Sequence, residues 1–166
     1  MQYTEADICG LAEELTCRIA KQMFGMDFRC VSAPSAENFQ KDTVQGFLNA
    51  PVNLELQFKA SPLLFYQMAK NAIGDEPEDE FEVQEYAMEF FNVICGRFVS
   101  RLKDHCRHND MRFRPPVYLK NSDQLPDAAG HADEVCRVYF ENADRETAEF
   151  CWNRNSMNKL WTGSEE

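Results

Sequence analysis

The sequence predicts an α+β fold, a largely antiparallel sheet with helices packed on one face. Three observations predict it. Periodicities follow one another in the order helix, strands, helix, helix, strands. VNLELQFKA (52–60) alternates Leu54, Leu56 and Phe58 against Glu55, Gln57 and Lys59, the pattern of a half-buried strand. FEVQEYAMEFFNVICGRFVSRL (81–102) instead repeats apolar residues every three or four positions, as a core-facing helix does.

The elements follow in chain order. Thr4 and Asp7 form a capping pair, and Ile8, Leu11, Ala12, Leu15, Ile19 and Met23 continue at helical spacing until Gly25 stops the helix. FRCVS, FQKDTVQGFL and VNLELQFKA are predicted strands, the last two separated by a turn at Asn49-Ala50-Pro51. Ser61-Pro62 opens a second helix, because a capping hydroxyl precedes a proline at the first helical position, and Gly74 closes it. Asp79 and Glu82 cap the third helix, which is expected to run to about His108. After Pro115-Pro116 come a VYL strand, a polar loop from Lys120 to Asp133, and the strands EVCRVYFEN and TAEFCWN joined at Ala143-Asp144-Arg145. Residues 1–155 are expected to form a single domain and residues 156–166 a polar C-terminal tail.

Composition narrows the function classes. At 44% hydrophobic and 27% charged, the 166-residue chain is too apolar to be disordered. A formal charge of −11 repels phosphate backbones and anionic lipid, so neither nucleic acid nor a membrane surface is an expected partner. No stretch approaches a membrane span, and MQYTEADICG has no signal-peptide run. Seven cysteines, none spaced C-x-x-C, suit free thiols in a reducing cytoplasm. Cys95, His105, Cys106 and His108 do not converge on one side of a straight helix, so no metal site is expected.

The informative segment is the third helix. Val83, Ala87, Phe90, Phe91, Ile94, Phe98 and Leu102 form its apolar stripe. Opposite lie Glu82, Glu85, Glu89, Asn92 and Gly96, within an arc of about 80°. Glu89 and Asn92 are neighbours three positions apart, near enough to act on one small group. Gly96 costs about 1 kcal/mol relative to Ala inside a helix, which suggests that something packs close to the backbone there. Taken alone, Glu89 and Asn92 are more commonly an ordinary solvated face.

Glu89-Phe-Phe-Asn92-Val-Ile94-Cys-Gly96 resembles the signature helix of the CheX/CheC/FliY chemotaxis phosphatases. The likeness extends through the alternating strand, the Pro-started helix that ends in Gly, and the RPPVYL strand entry, from about Glu5 to Asn153. The resemblance implies hydrolysis of phospho-aspartate on a CheY-like receiver domain. Glu89 would pair with the receiver's lysine, Asn92 would orient the attacking water, and Glu85 and Gly96 would belong to the docking face. The receiver would bring its own Mg²⁺, so no cofactor is expected on this chain. The resemblance also implies a homodimer through sheet edges. Some relatives carry a second copy of the motif on the first helix, where this chain has Glu14 and Cys17, so one site is expected. Lys120-Asn121 replace the small residues usual after the Pro-led strand, and Phe90-Phe91 are bulkier than usual. Those departures keep open a non-catalytic adaptor of the same fold that docks a receiver or flagellar component. A small-molecule sensor domain is a third reading, which would need an enclosed apolar cavity.

Overall fold

In the computed structural model, residues 3–33, 41–49, 53–104, 111–120 and 134–162 are described. Helix α1 (Glu5–Phe24) is followed by strands β1 (Arg29–Val31), β2 (Asp42–Leu48) and β3 (Leu54–Ala60). Helices α2 (Pro62–Ile73) and α3 (Glu80–Lys103) come next, then β4 (Phe113–Leu119), β5 (Val135–Glu141), β6 (Thr147–Asn153) and α4 (Arg154–Thr162). The strands form one sheet in the order β1-β5-β6-β3-β2-β4, and every neighbouring pair is antiparallel.

The helix ends are set by the expected chemistry. Thr4 and Asp7 make a reciprocal capping box on α1, and Gly25 closes it at φ 60°. Ser61 Oγ accepts from Leu64 N at 3.2 Å at the start of α2, and Gly74 ends that helix at φ 80°. Asp79 Oδ1 accepts from Glu82 N at 2.9 Å, while Glu82 Oε2 accepts from Glu78 N at 2.7 Å. Glu82 is therefore committed to starting α3. Helix α3 ends at Lys103, and residues 105–110, with His105, Cys106, His108 and Asn109, lie outside those described.

The core sits between the sheet and helices α1–α3. Phe90 and Phe91 are fully buried. Their rings meet Phe58 of the central strand β3 at 5.4 and 6.0 Å, and Phe90 also meets Phe24 of α1 at 5.4 Å. Phe150 receives Phe91 and Phe98 at 5.5 and 5.7 Å. These contacts fix the rotation of α3 about its axis, because turning either ring out of the core would expose an aromatic side chain worth several kcal/mol.

Strand β3 departs from expectation. Gln57 and Lys59 are 1% and 7% exposed rather than solvated. With β6 on one side and β2 on the other, the outward side chains lie across their neighbours and pair. Gln57 Nε2 donates to Glu55 Oε1 at 2.7 Å, Cys151 Sγ lies 3.7 Å from Gln57 Oε1, and Lys59 stands opposite Glu149 in register. Glu149 in turn meets Arg137 at 3.3 Å.

Strand β4 begins at Phe113, earlier than the expected VYL, and runs through both prolines. An edge strand tolerates proline because its outer N–H row needs no partner. Its register against β2 slips between Gln45 and Phe47. Two residues of β4, Pro115 and Pro116, then oppose one of β2, Gly46, a bulge that bends the strand there. The hairpin joining β5 and β6 is where expected. Asn142 Oδ1 accepts from Asp144 N and Glu146 N at 3.0 and 2.9 Å, and Arg145 adopts φ 61°.

Of the expected polar tail over 156–166, residues 156–162 instead continue α4, and the rest lie outside the described residues. Asn153 Oδ1 accepts from Ser156 N at 2.7 Å, Met157 and Leu160 are buried, and Arg154 grips Glu5 of α1 with two bonds of 2.8 and 3.2 Å. The polar loop expected over 120–133 is described only at Lys120.

Candidate functional site

With the apolar stripe of α3 locked onto β3 and β6, its opposite face is turned outward. Glu85, Glu89, Asn92 and Gly96 are all exposed. In an α-helix, residues three apart carry Cβ atoms about 5–6 Å from each other, so the Glu89 carboxylate and Asn92 carboxamide project side by side. Neither makes a hydrogen bond or ion pair among the described residues. Both are uncommitted functional groups on a rigid platform.

They border a groove of about 580 Å³. Glu82, Glu85 and Glu89 give it an acidic side, while Met23 from the end of α1 with Tyr86 and Met88 supplies apolar surface. Pro115 and Pro116 complete the lining, placed there by the β4 bulge. The sequence places Met23 in the apolar repeat of the first helix and the prolines at strand entry, and it does not single out Tyr86 or Met88. Their convergence depends on α1, α3 and β4 meeting at one end of the sheet, which no local pattern encodes.

Three further positions named from the sequence are placed by the structure. A Cβ added to Gly96 would meet nothing within 4 Å, so no described residue packs closely there. Lys120 does not rim this groove. It pairs with Glu80 at the start of α3 and lines a separate groove of about 340 Å³ with Asp42 and Tyr118, whose hydroxyl donates to Asp42 Oδ2 at 2.5 Å. Burial first, and then that bond to a carboxylate, push the Tyr118 phenol well above its usual pKa. Phe90 and Phe91 lie beneath α3 and leave its outer face clear.

The corresponding stretch of α1 is differently disposed. Glu14 is paired with Arg18 and lies 4.0 Å from Arg101 of α3, so its carboxylate is already engaged. Cys17 is half-buried against the Phe28 carbonyl at 3.6 Å, and burial raises its thiol to about 11. It offers neither an amide nor a thiolate. Among the described residues no three His, Cys, Asp or Glu side chains gather as a metal site, and no helix is long and apolar enough to cross a membrane. Cys95 is buried, which pushes its thiol well up.

Comparison with known structures places this architecture. The CheX protein of Vibrio vulnificus superposes with a TM-score of 0.71 at 14% identity, covering 91% of this chain and 98% of the other. The CheX-CheY-BeF3-Mg²⁺ complex of Borrelia burgdorferi matches at 0.65 and 16% identity, covering 89% and 97%. The FliM middle domain of H. pylori matches at 0.61 with 6% identity, covering 97% and 100%, so the fold is shared beyond the CheX proteins. No curated protein matches the sequence. The family profile described as chemotaxis phosphatase CheX matches residues 44–140, more than half of the chain, including β3, α2 and all of α3. The chain belongs to the CheX family of chemotaxis phosphatases.

Proposed function

We propose that this protein is a cytoplasmic phosphatase that hydrolyses phospho-aspartate on a CheY-like receiver domain, using one site per chain built on α3. The observation that carries the reading is the pair Glu89 and Asn92, exposed and without a partner among the described residues, one turn apart on a helix fixed by core aromatics. Asn92 orients a water in line with the scissile bond. The water oxygen bonds to phosphorus, the bond from phosphorus to the aspartyl oxygen breaks, and inorganic phosphate leaves a free carboxylate. Such a loose transition state asks for position rather than a strong base. A neutral carboxamide both accepts from and donates to water without adding negative charge beside the phosphoryl group. Glu89 pairs with the receiver's lysine and fixes the approach, since a displacement of about 1 Å costs on the order of 10²-fold in rate. Mg²⁺ resides on the receiver. The reading includes a homodimer through a sheet edge, with β1 and β4 at the two ends of the strand order.

The alternative is an adaptor that docks a receiver or flagellar component without turnover. It gains interest because the FliM middle domain shares the fold and because Lys120 stands where small residues are usual, while the bulk of Phe90 and Phe91 no longer supports it, since both rings lie buried away from the outer face. A time course separates the two. CheY-like receivers from the same genome, phosphorylated in Mg²⁺, should lose phosphate several-fold faster with catalytic amounts of this protein. Stoichiometric binding with an unchanged decay rate would establish the adaptor instead.

A further inference from the structure

The exposed face of α3 carries one residue that neither the fold nor the hydrolytic reading uses. Phe81, in the first turn, is 74% exposed, the most open large hydrophobic side chain among the described residues. It makes no ring contact among them, whereas ten other aromatic pairs do. A single exposed apolar residue needs no explanation by itself. Its position does. At 100° per residue, Phe81, Met88 and Asn92 fall within about 40° of one another around α3, and Glu85 lies between Phe81 and Asn92 along the same face. At 1.5 Å per residue Phe81 stands about 16 Å from Asn92 along the axis. A standard interface covers about 800 Å² per partner, a disc of about 16 Å radius, so one footprint can contain both residues with Met88 between them. Met88 itself lines the groove with Glu82, Glu85, Glu89 and Asn92.

We propose that Phe81 is an aromatic anchor for the receiver, inserted into an apolar depression bordered by Lys or Arg on the receiver's surface. The basic border follows from charge: Glu78, Glu82 and Glu85 flank Phe81 in sequence, while Glu80 is already paired with Lys120. An aromatic side chain provides large contact area at low cost in side-chain freedom, and such anchors dominate interface energies. This rests on the receiver-directed reading above. It assigns Phe81 to binding and leaves the chemistry to Glu89 and Asn92.

The test compares wild type, Phe81→Ala, Phe81→Tyr and Asn92→Ala on the same phosphorylated receiver, and on that receiver loaded with beryllofluoride and Mg²⁺. Phe81→Ala should raise KM and the beryllofluoride-complex Kd about tenfold or more, with kcat at saturating receiver and the melting temperature unchanged. Phe81→Tyr should stay within about twofold of wild type. KM and Kd unchanged in Phe81→Ala, while Asn92→Ala still loses kcat, would overturn the anchor and leave the hydrolytic site standing. Loss of kcat without loss of affinity in Phe81→Ala would also overturn it. If wild type releases no phosphate yet Phe81→Ala weakens binding tenfold, the anchor survives and hydrolysis is what fails.

Discussion

Glu89 and Asn92 differ from Glu14 and Cys17 in what surrounds them more than in where they sit on a helix. Glu14 meets Arg18 one turn away and Arg101 across the helix pair, whereas Glu89 has no cation among its described neighbours. A carboxylate without an internal partner can offer its full charge to another protein. The same residue-scale logic explains the Glu5–Arg154 pair. Hydrogen bonding from Arg154 holds the Glu5 carboxyl below its ordinary value of 4.5. A depressed folded-state pKa means the stabilisation is present above the unfolded value and lost as pH falls through the folded one. Glu5→Gln should therefore melt slightly below wild type at neutral pH, with the gap closing progressively as pH drops below about 4.5. Both side chains are partly exposed, so solvent screening keeps the gap within about 1 kcal/mol. Melting curves across pH check this, and a gap independent of pH would refute it. At this scale the site was legible: the i, i+3 spacing of Glu89 and Asn92 places them outward once the apolar stripe is located. The partners of Glu14 were not, because Arg101 comes from another helix.

Elements were legible where a local signal is strong. Capping residues at Thr4, Ser61 and Asp79 and glycines at 25 and 74 mark their helix ends within the chain itself. The alternation of strand β3 is plain in the sequence, but it predicts solvated outer residues where Gln57 and Lys59 are covered. Alternation reports which side chains share a face and cannot tell an outer strand from a central one, whose polar residues are covered by neighbours. Helix α4 was missed because Met157 and Leu160, the buried residues described in it, do not stand out in a polar stretch, although Asn153 supplies a cap. The β4 bulge was likewise hidden, since register is a property of two strands. Gly46 belongs to that element pair. A Cβ there would fall 2.2 Å from the Phe113 ring, so the ring lies directly on the glycine beside the bulge. Gly46→Ala should destabilise the protein by about 1–3 kcal/mol in urea unfolding, and the simultaneous change Phe113→Leu should recover part of the loss. A neutral Gly46→Ala would mean that the ring moves aside freely.

The whole molecule works as a mount for one helix. The antiparallel sheet presents Phe58 and Phe150 to α3, α1 braces it from the side, and β4 bends to close one end of the groove. A net charge of −11 adds a field that favours a basic docking surface and disfavours nucleic acid. Because Asn92 is exposed and makes no hydrogen bond among the described residues, its removal tests the proposed chemistry without disturbing the fold. The decisive measurement is the decay of a phosphorylated CheY-like receiver in Mg²⁺ with wild type and with Asn92→Ala at equal concentration. The account predicts that wild type accelerates the decay while Asn92→Ala, equally stable to within about 0.5 kcal/mol and still able to bind the receiver, leaves it at the receiver's own rate. Undiminished acceleration by Asn92→Ala would contradict it.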